Sequence, residues 1–238
     1  MRLPVRRVQH VQQAFNWDCG LACTEMVLRA LGVSKADCSL EKLQKFVPST
    51  SVWTIDLAYA LAGFGIKFRF LTTTLGVDPT YESEPFYRTT LDSDMLRVNK
   101  LFAEAGRRNL SIERRSITSE ALKELMRPND HLVMALVDKS QLYRAPPVSF
   151  SGMVESCIAH CCTGYVGHYV LITGYNTDQK GYYVMDPAKT PEPLFVSCEA
   201  LDVARKTHGT DEDLLLIPWD QQPKQIATSN IPRASAAA

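Results

Sequence analysis

The stretch GHYVLITGYNTDQKGYYVMDPA, residues 167–188, decides the fold class. Two runs rich in Val, Ile, Thr and Tyr flank a polar segment from Asn176 to Gly181, which is the pattern of an antiparallel β-hairpin. His168 opens the first strand, and Asp186 closes the second just before Pro187. A register centred on Thr177 sets the two directly opposite each other, with Cβ atoms roughly 5 Å apart on one face. An imidazole beside a carboxylate is a base with a fixed tautomer, and it needs a nucleophile to serve.

The nucleophile stands far upstream, in VQQAFNWDCGLACTEMVLRALG at residues 11–32. Leu21, Met26, Val27, Ala30 and Leu31 approximate a helical stripe, and Gly32 supplies the stop. Cys19 therefore falls at the entrance of a helix, where the dipole favours an anion. A packing cysteine has no need of that position. A thiol attacks as thiolate, so His168 is the candidate base and Asp186 the candidate orienter. Gln13 can bring its amide beside the thiol as an oxyanion donor, joined by the N–H of Cys19 itself. Cys23, one turn after Cys19, reads as a packing residue.

Outward from these two blocks the chain alternates helix and strand. TIDLAYALAGFG reads as a helix with Thr54 as cap and Asp56 as a first-turn charge. IKFRFL and LSIERRS read as strands, DMLRVNKLFAEAGRR and TSEALKELMRPND as helices, and Thr72 to Glu84 as an irregular loop. HLVMALVD is an unbroken apolar run of strand length, suited to the middle of a sheet. His10, His131 and His208 have no evident partners. The cluster CIAHCC, with Cys157, His160, Cys161 and Cys162, invites a zinc reading, but no second Cys/His pair completes four ligands. It reads instead as a loop of surface thiols just before His168.

Composition narrows the partners. Lys plus Arg and Asp plus Glu are 26 each, so the chain of 238 residues has no net charge to draw it to nucleic acid or an anionic membrane. No stretch approaches the ~20 apolar residues of a membrane span. The basic start MRLPVRRVQH is followed by no apolar region, which predicts no secretory signal and a cytoplasmic or nuclear location. In those compartments the seven cysteines are free thiols, metal ligands or catalytic groups.

Two resemblances extend these readings. Gln13 through Cys23, QAFNWDCGLAC, looks like the nucleophile motif of the bacteriocin-processing cysteine peptidase domain, Gln-x4-Asp-Cys-Gly-x-Ala, and GHYVLITGY with YYVMDPA is similar to its His and Asp strands. That resemblance implies a papain-like fold with Cys19 as nucleophile, His168 as base, Asp186 as orienter and Gln13 as oxyanion donor. Over nearly the full length, WDCGLAC, SVWTIDLA and YVGHYVLITGY resemble the eukaryotic guanylyl cyclase domain-containing family, which includes plant soluble guanylyl cyclases. Its name implies conversion of GTP to cyclic GMP, with magnesium as cofactor. The residues themselves contain no phosphate-cradling Gly-rich loop, and TIDL and DSD are the nearest candidates for metal-binding carboxylates.

The expectation is a single α+β domain over residues 1–222, papain-like, with a nucleophile helix packed on an antiparallel sheet. Residues 72–115 form an elaboration between the catalytic halves, and residues 223–238 form a disordered tail. The expected function is a thiol hydrolase or transferase on a peptide, isopeptide or other acyl bond, needing no cofactor or metal. The alternatives are a guanylyl cyclase taking GTP and magnesium, and a catalytically silent module that binds a protein partner.

Overall fold

The computed structural model describes residues 7–47, 49–143 and 164–223. In chain order its elements are α1 (Cys19–Ala30), α2 (Leu40–Leu43), α3 (Thr54–Gly63), β1 (Arg69–Thr72), α4 (Leu91–Ala105), β2 (Ile112–Arg114), α5 (Ser119–Met126), β3 (His131–Asp138), α6 (Lys139–Leu142), β4 (Gly167–Asn176), β5 (Gly181–Met185), β6 (Leu194–Ser197), α7 (Cys198–Lys206) and β7 (Leu214–Pro218). Short 3-10 turns occupy Pro79–Ser83 and Gly106–Arg108.

The strands form one seven-stranded sheet in the order β2-β1-β7-β3-β4-β5-β6. Only β1 and β2 run parallel; every other pair is antiparallel. The apolar run of β3 takes the central place, because both of its faces are covered. Leu132, Met134 and Leu136 enter the core shared with α1 to α4, while Val133, Ala135 and Val137 enter the core shared with α5 to α7. Strands buried on both faces lose the polar alternation of a half-exposed strand. Each such side chain removed from water contributes roughly 2 kcal/mol. The class is α+β, with helices on both faces of a mainly antiparallel sheet. Among the described residues no helix is long and apolar enough to cross a membrane.

The hairpin register differs from the direct opposition of His168 and Asp186. Near the turn Gly174 pairs with Tyr183 and Asn176 with Gly181, but beyond it Ile172 pairs with Val184 and Leu171 with Met185. Thr173 is the extra residue of a β-bulge. Carried one step past Met185, this register sets Asp186 across from Val170. Asp186 is thus a diagonal neighbour of His168 on the same face.

Three other expectations change. The cap of α3 is Trp53, whose N–H donates to Asp56 Oδ2 at 2.9 Å, while the Thr54 hydroxyl engages the Tyr169 hydroxyl at 2.8 Å. The segment read as an irregular loop contains the 3-10 turn, opened by Asp78 accepting from the Thr80 N–H. The C-terminal β6, α7 and β7 have no counterpart in the sequence reading.

Candidate active site

Cys19 is the first residue of α1, and Asp18 before it is the N-cap. The Asp18 side chain does not cap the helix. Its two oxygens instead accept from the backbone N–H groups of Ala14 and Phe15, each at 3.0 Å, and so shape the loop that approaches the thiol. With no side chain capping it, the positive end of the helix is left for whatever charge develops at the sulfur or beside it. Gly20 lets the helix come close. A Cβ there would lie 2.8 Å from Leu57 Cδ1 and 3.0 Å from Tyr169 Cδ2, so glycine lets α1 press against α3 and β4 without displacing those side chains.

His168 is the second residue of β4 and is buried, as is Asp186 just past β5. The His168 Nε2 lies 2.7 Å from Asp186 Oδ1. The side chain of Cys19 lies close enough to the imidazole to raise it, and Nδ1 is the ring nitrogen that Asp186 leaves over. The three sequence-predicted side chains therefore form one contiguous array, although 149 residues separate the thiol from the imidazole (168 − 19).

The electrostatics of the array follow from these contacts. Burial opposes a charge on His168, but the hydrogen bonds to Asp186 and Cys19 outweigh it and raise the imidazole to about 9. Burial likewise works against the Asp186 carboxylate, yet its donors bring it down to about 2. Those donors are His168, the Ala188 N–H at 2.7 Å to Oδ1, and the Tyr143 hydroxyl at 2.7 Å to Oδ2. A carboxylate held by three donors stays ionised and offsets an imidazolium beside it. Cys23 is different: full burial, with Cys19 and Asp186 nearby, pushes its thiol well up, as suits a packing residue. Its Sγ points to the Tyr169 carbonyl at 3.5 Å.

Gln13 is held beside the array by its backbone. Its N–H donates to the Pro187 carbonyl at 3.0 Å, and its side-chain Nε2 donates to the Phe15 carbonyl at 2.5 Å. An amide nitrogen has two hydrogens, so one remains for another acceptor. His10, which the sequence left without a partner, has its Nε2 2.9 Å from the Asp186 carbonyl oxygen. Residues 10–13 thus strap down the Asp186–Pro187 segment. Neither His10 nor Tyr143 carries a signal in the sequence, because each acts through a contact set by the tertiary fold. Cys157, His160, Cys161 and Cys162 lie outside the described residues.

Cys19 opens onto a cleft of about 390 Å³. Trp17, Trp53, Tyr87 and Tyr169 give it aromatic walls, and Asp211 and Asp213 line it too. Tyr87 comes from the segment between β1 and α4, so that region does contribute to the cleft. No lysine, arginine or histidine is among the described residues that line it. Among the described residues, no group of three or more His, Cys, Asp or Glu side chains is placed to hold a metal ion. Asp56, the nearest sequence candidate for one, is buried in ion pairing with Arg97, which also binds Asp94.

A family model described as guanylylate cyclase matches residues 8–217 of the chain. Among curated proteins, Guanylyl cyclase 1 of Arabidopsis thaliana is 40% identical over 220 residues, covering 92% of this chain and 78% of that protein.

Proposed function

The chain belongs to the guanylylate cyclase family, and from that premise we propose that it is an enzyme whose reacting group is the Cys19 thiol, acting on a peptide, isopeptide or other acyl bond. The single observation that carries this reading is the array of Cys19 at a helix entrance, His168 beside it, and Asp186 Oδ1 at 2.7 Å from His168 Nε2. The order Cys, His, Asp along the chain, with the thiol on a helix and its partners on antiparallel strands, supports a papain-like arrangement in one domain over residues 1–222.

In this mechanism the sulfur of Cys19 attacks the acyl carbon as a thiolate, with the thiol proton held on His168. The carbonyl π electrons move to oxygen, and that oxyanion is met by the N–H groups at the start of α1 and by the free amide hydrogen of Gln13. His168 then gives its proton to the leaving group as the bond to the carbonyl carbon breaks, and a thioester remains. Water, deprotonated by His168, or an amine in a transferase, attacks the thioester and restores the thiol. Asp186 holds the ring tautomer and offsets the imidazolium throughout.

The test is selective alkylation. Iodoacetamide near neutral pH should label Cys19 faster than Cys23, Cys38 or Cys198, and His168→Ala should remove that preference. Burial lifts the Cys23 and Cys38 thiols, the latter to about 11, so they are built-in slow controls. Equal labelling of Cys19 and Cys198 would sink the activated-thiol reading.

A second reading takes the activity printed in the relatives' name, the conversion of GTP to cyclic GMP; family membership is what favours it. Its triphosphate needs cationic side chains or magnesium held on oxygen ligands. Asp211 and Asp213 are the only carboxylates among the described residues of the cleft, and neither a third ligand nor a lysine or arginine accompanies them there. One or two carboxylates with waters and phosphate oxygens seat magnesium, so Asp211 and Asp213 would hold it, but the described lining offers the phosphates no cationic side chain, and no step is derived through the nucleotide. Purified protein with GTP and magnesium decides between the readings. Cyclic GMP formed equally by wild type and Cys19→Ala would displace the thiol mechanism.

A further inference from the structure

The acidic side of the cleft has a chemistry of its own. Asp211 and Asp213 sit on the turn between α7 and β7, where the Asp213 N–H donates to the Thr210 carbonyl at 3.0 Å. Asp211 and Glu212 both take left-handed backbone conformations, with φ of 49° and 51°. The turn is pinned by Thr73, whose N–H and hydroxyl donate to the Asp211 carbonyl at 2.8 and 3.0 Å. Asp211 Oδ1 accepts from the Tyr81 hydroxyl at 2.6 Å. The hydroxyls of Thr54 and Thr72 lie near the Asp213 carboxyl and moderate its rise.

Two polar atoms of this wall have nothing to bind. Asp213 Oδ1 and Trp53 Nε1 are both buried without a hydrogen-bond partner, in residues only 6% and 7% exposed. A buried group left unpaired costs about 1–3 kcal/mol, so a site that keeps two of them has a use for them. One is an acceptor beside a second carboxylate; the other is an indole donor. Neither Asp211 nor Asp213 is in an ion pair among the described residues, and burial together with the charge of Asp211 pushes Asp213 well up. A ligand cation relieves that repulsion, and the aromatic walls from Trp53 and Tyr169 suit the apolar stem of an organic cation. An indole N–H cannot ligate a metal, but it does suit a carbonyl oxygen next to the cation.

We propose that Asp211, Asp213 and Trp53 form a subsite of the Cys19 cleft that takes a basic residue of a peptide, its ammonium or guanidinium against the carboxylates and its backbone carbonyl on the indole N–H. The proposal deepens the acyl-transfer reading, on which it rests for the meaning of the site, since Cys19 lines the same cleft. Binding at the subsite does not need the thiol, so the two fail separately.

The test is a titration of the full chain, followed by calorimetry or NMR, with Nα-acetyl-lysine methylamide and its uncharged counterpart Nα-acetyl-norleucine methylamide. The lysine probe should bind about tenfold more tightly or better, as a buried ion pair would give. Asp211→Asn, and separately Asp213→Asn, should bring the two probes together, and Cys19→Ala should keep them apart. Asp211→Asn, at a less buried position, keeps the test open if Asp213→Asn does not fold. Equal binding of the two probes, or no binding of either, overturns the proposal. Loss of the lysine preference in excess magnesium chloride overturns it as well, since the carboxylates would then be a metal seat. A lysine preference retained by a protein whose Cys19 shows no selective alkylation leaves the subsite standing and removes the thiol mechanism.

Discussion

Asp186 Oδ1 lies 2.7 Å from His168 Nε2, although the turn that joins their strands is in register to hold them on opposite faces. Continued without a break, the pairing of Asn176 with Gly181 would bring Asp186 across from Leu171, whose side chain points away from that of His168. The extra residue at Thr173 shifts the open half of the hairpin by one and restores the parity. A one-residue slip moves every later side chain to the other face, and here that slip assembles the pair.

Asp186→Asn keeps the shape and removes the charge that this register delivers. Asparagine can present its amide N–H₂ to His168 and so favour the wrong tautomer, which in a triad costs on the order of 10²–10⁴ in turnover. The His168 midpoint, followed by NMR of its ring protons, should fall from about 9. Turnover and midpoint both unchanged would show that Asp186 does not orient the base.

The same pair fixes how stability responds to pH. His168 is raised from 6.5 to about 9, so its contribution is fully present below 6.5 and lost as pH climbs through 9. Asp186 is lowered from 3.8 to about 2, so its contribution is present above 3.8 and lost as pH falls through 2. The gap in melting temperature between wild type and His168→Gln should be widest between about pH 4 and 6.5 and should close toward pH 9. A gap constant from pH 5 to 9 would mean that the ring is neutral in the folded chain.

Much of this arrangement was legible before the fold was known, for physical reasons. Cys19 stands out because a helix entrance has a sequence signature, and the hairpin strands stand out because their turn does. The bulge at Thr173 has no such signature: it depends on how β4 is gripped between β3 and β5, and only parity between His168 and Asp186 could be argued. The strand β7 has no comparable signature, because LLLIP is a five-residue run and its place between β1 and β3 is a long-range choice. Asp213 stands directly before that strand, so the acidic wall of the cleft is as illegible in the sequence as the strand itself. His10 and Tyr143 reach Asp186 across 176 and 43 residues, distances over which no local pattern carries information.

Gly20 is the next residue to test. Alanine there would set a Cβ 2.8 Å from Leu57 Cδ1 and 3.0 Å from Tyr169 Cδ2, both on fully or nearly buried side chains. The side chains must move or α1 must tilt, at about 1–3 kcal/mol. Because Cys19 precedes it on the helix, Gly20→Ala should also slow selective alkylation of Cys19. Full stability and full reactivity in this variant would show that α1 has slack against β4.

Tyr143 offers the sharpest separation of positioning from folding. Its hydroxyl is one of three donors on Asp186, and the only one on Oδ2 among the described residues. Tyr143→Phe keeps the ring, and with it the Lys189 ammonium 5.0 Å from the ring centre. Loss of the hydroxyl should cost about 1 kcal/mol of stability, the ordinary worth of such a bond. A purely structural hydroxyl would do no more than that. A positioning hydroxyl should also let the Asp186 midpoint rise from about 2, narrowing the pH range of activity from the acid side. Stability lowered with the Asp186 midpoint and the acid limb of activity unmoved would assign Tyr143 to the fold alone.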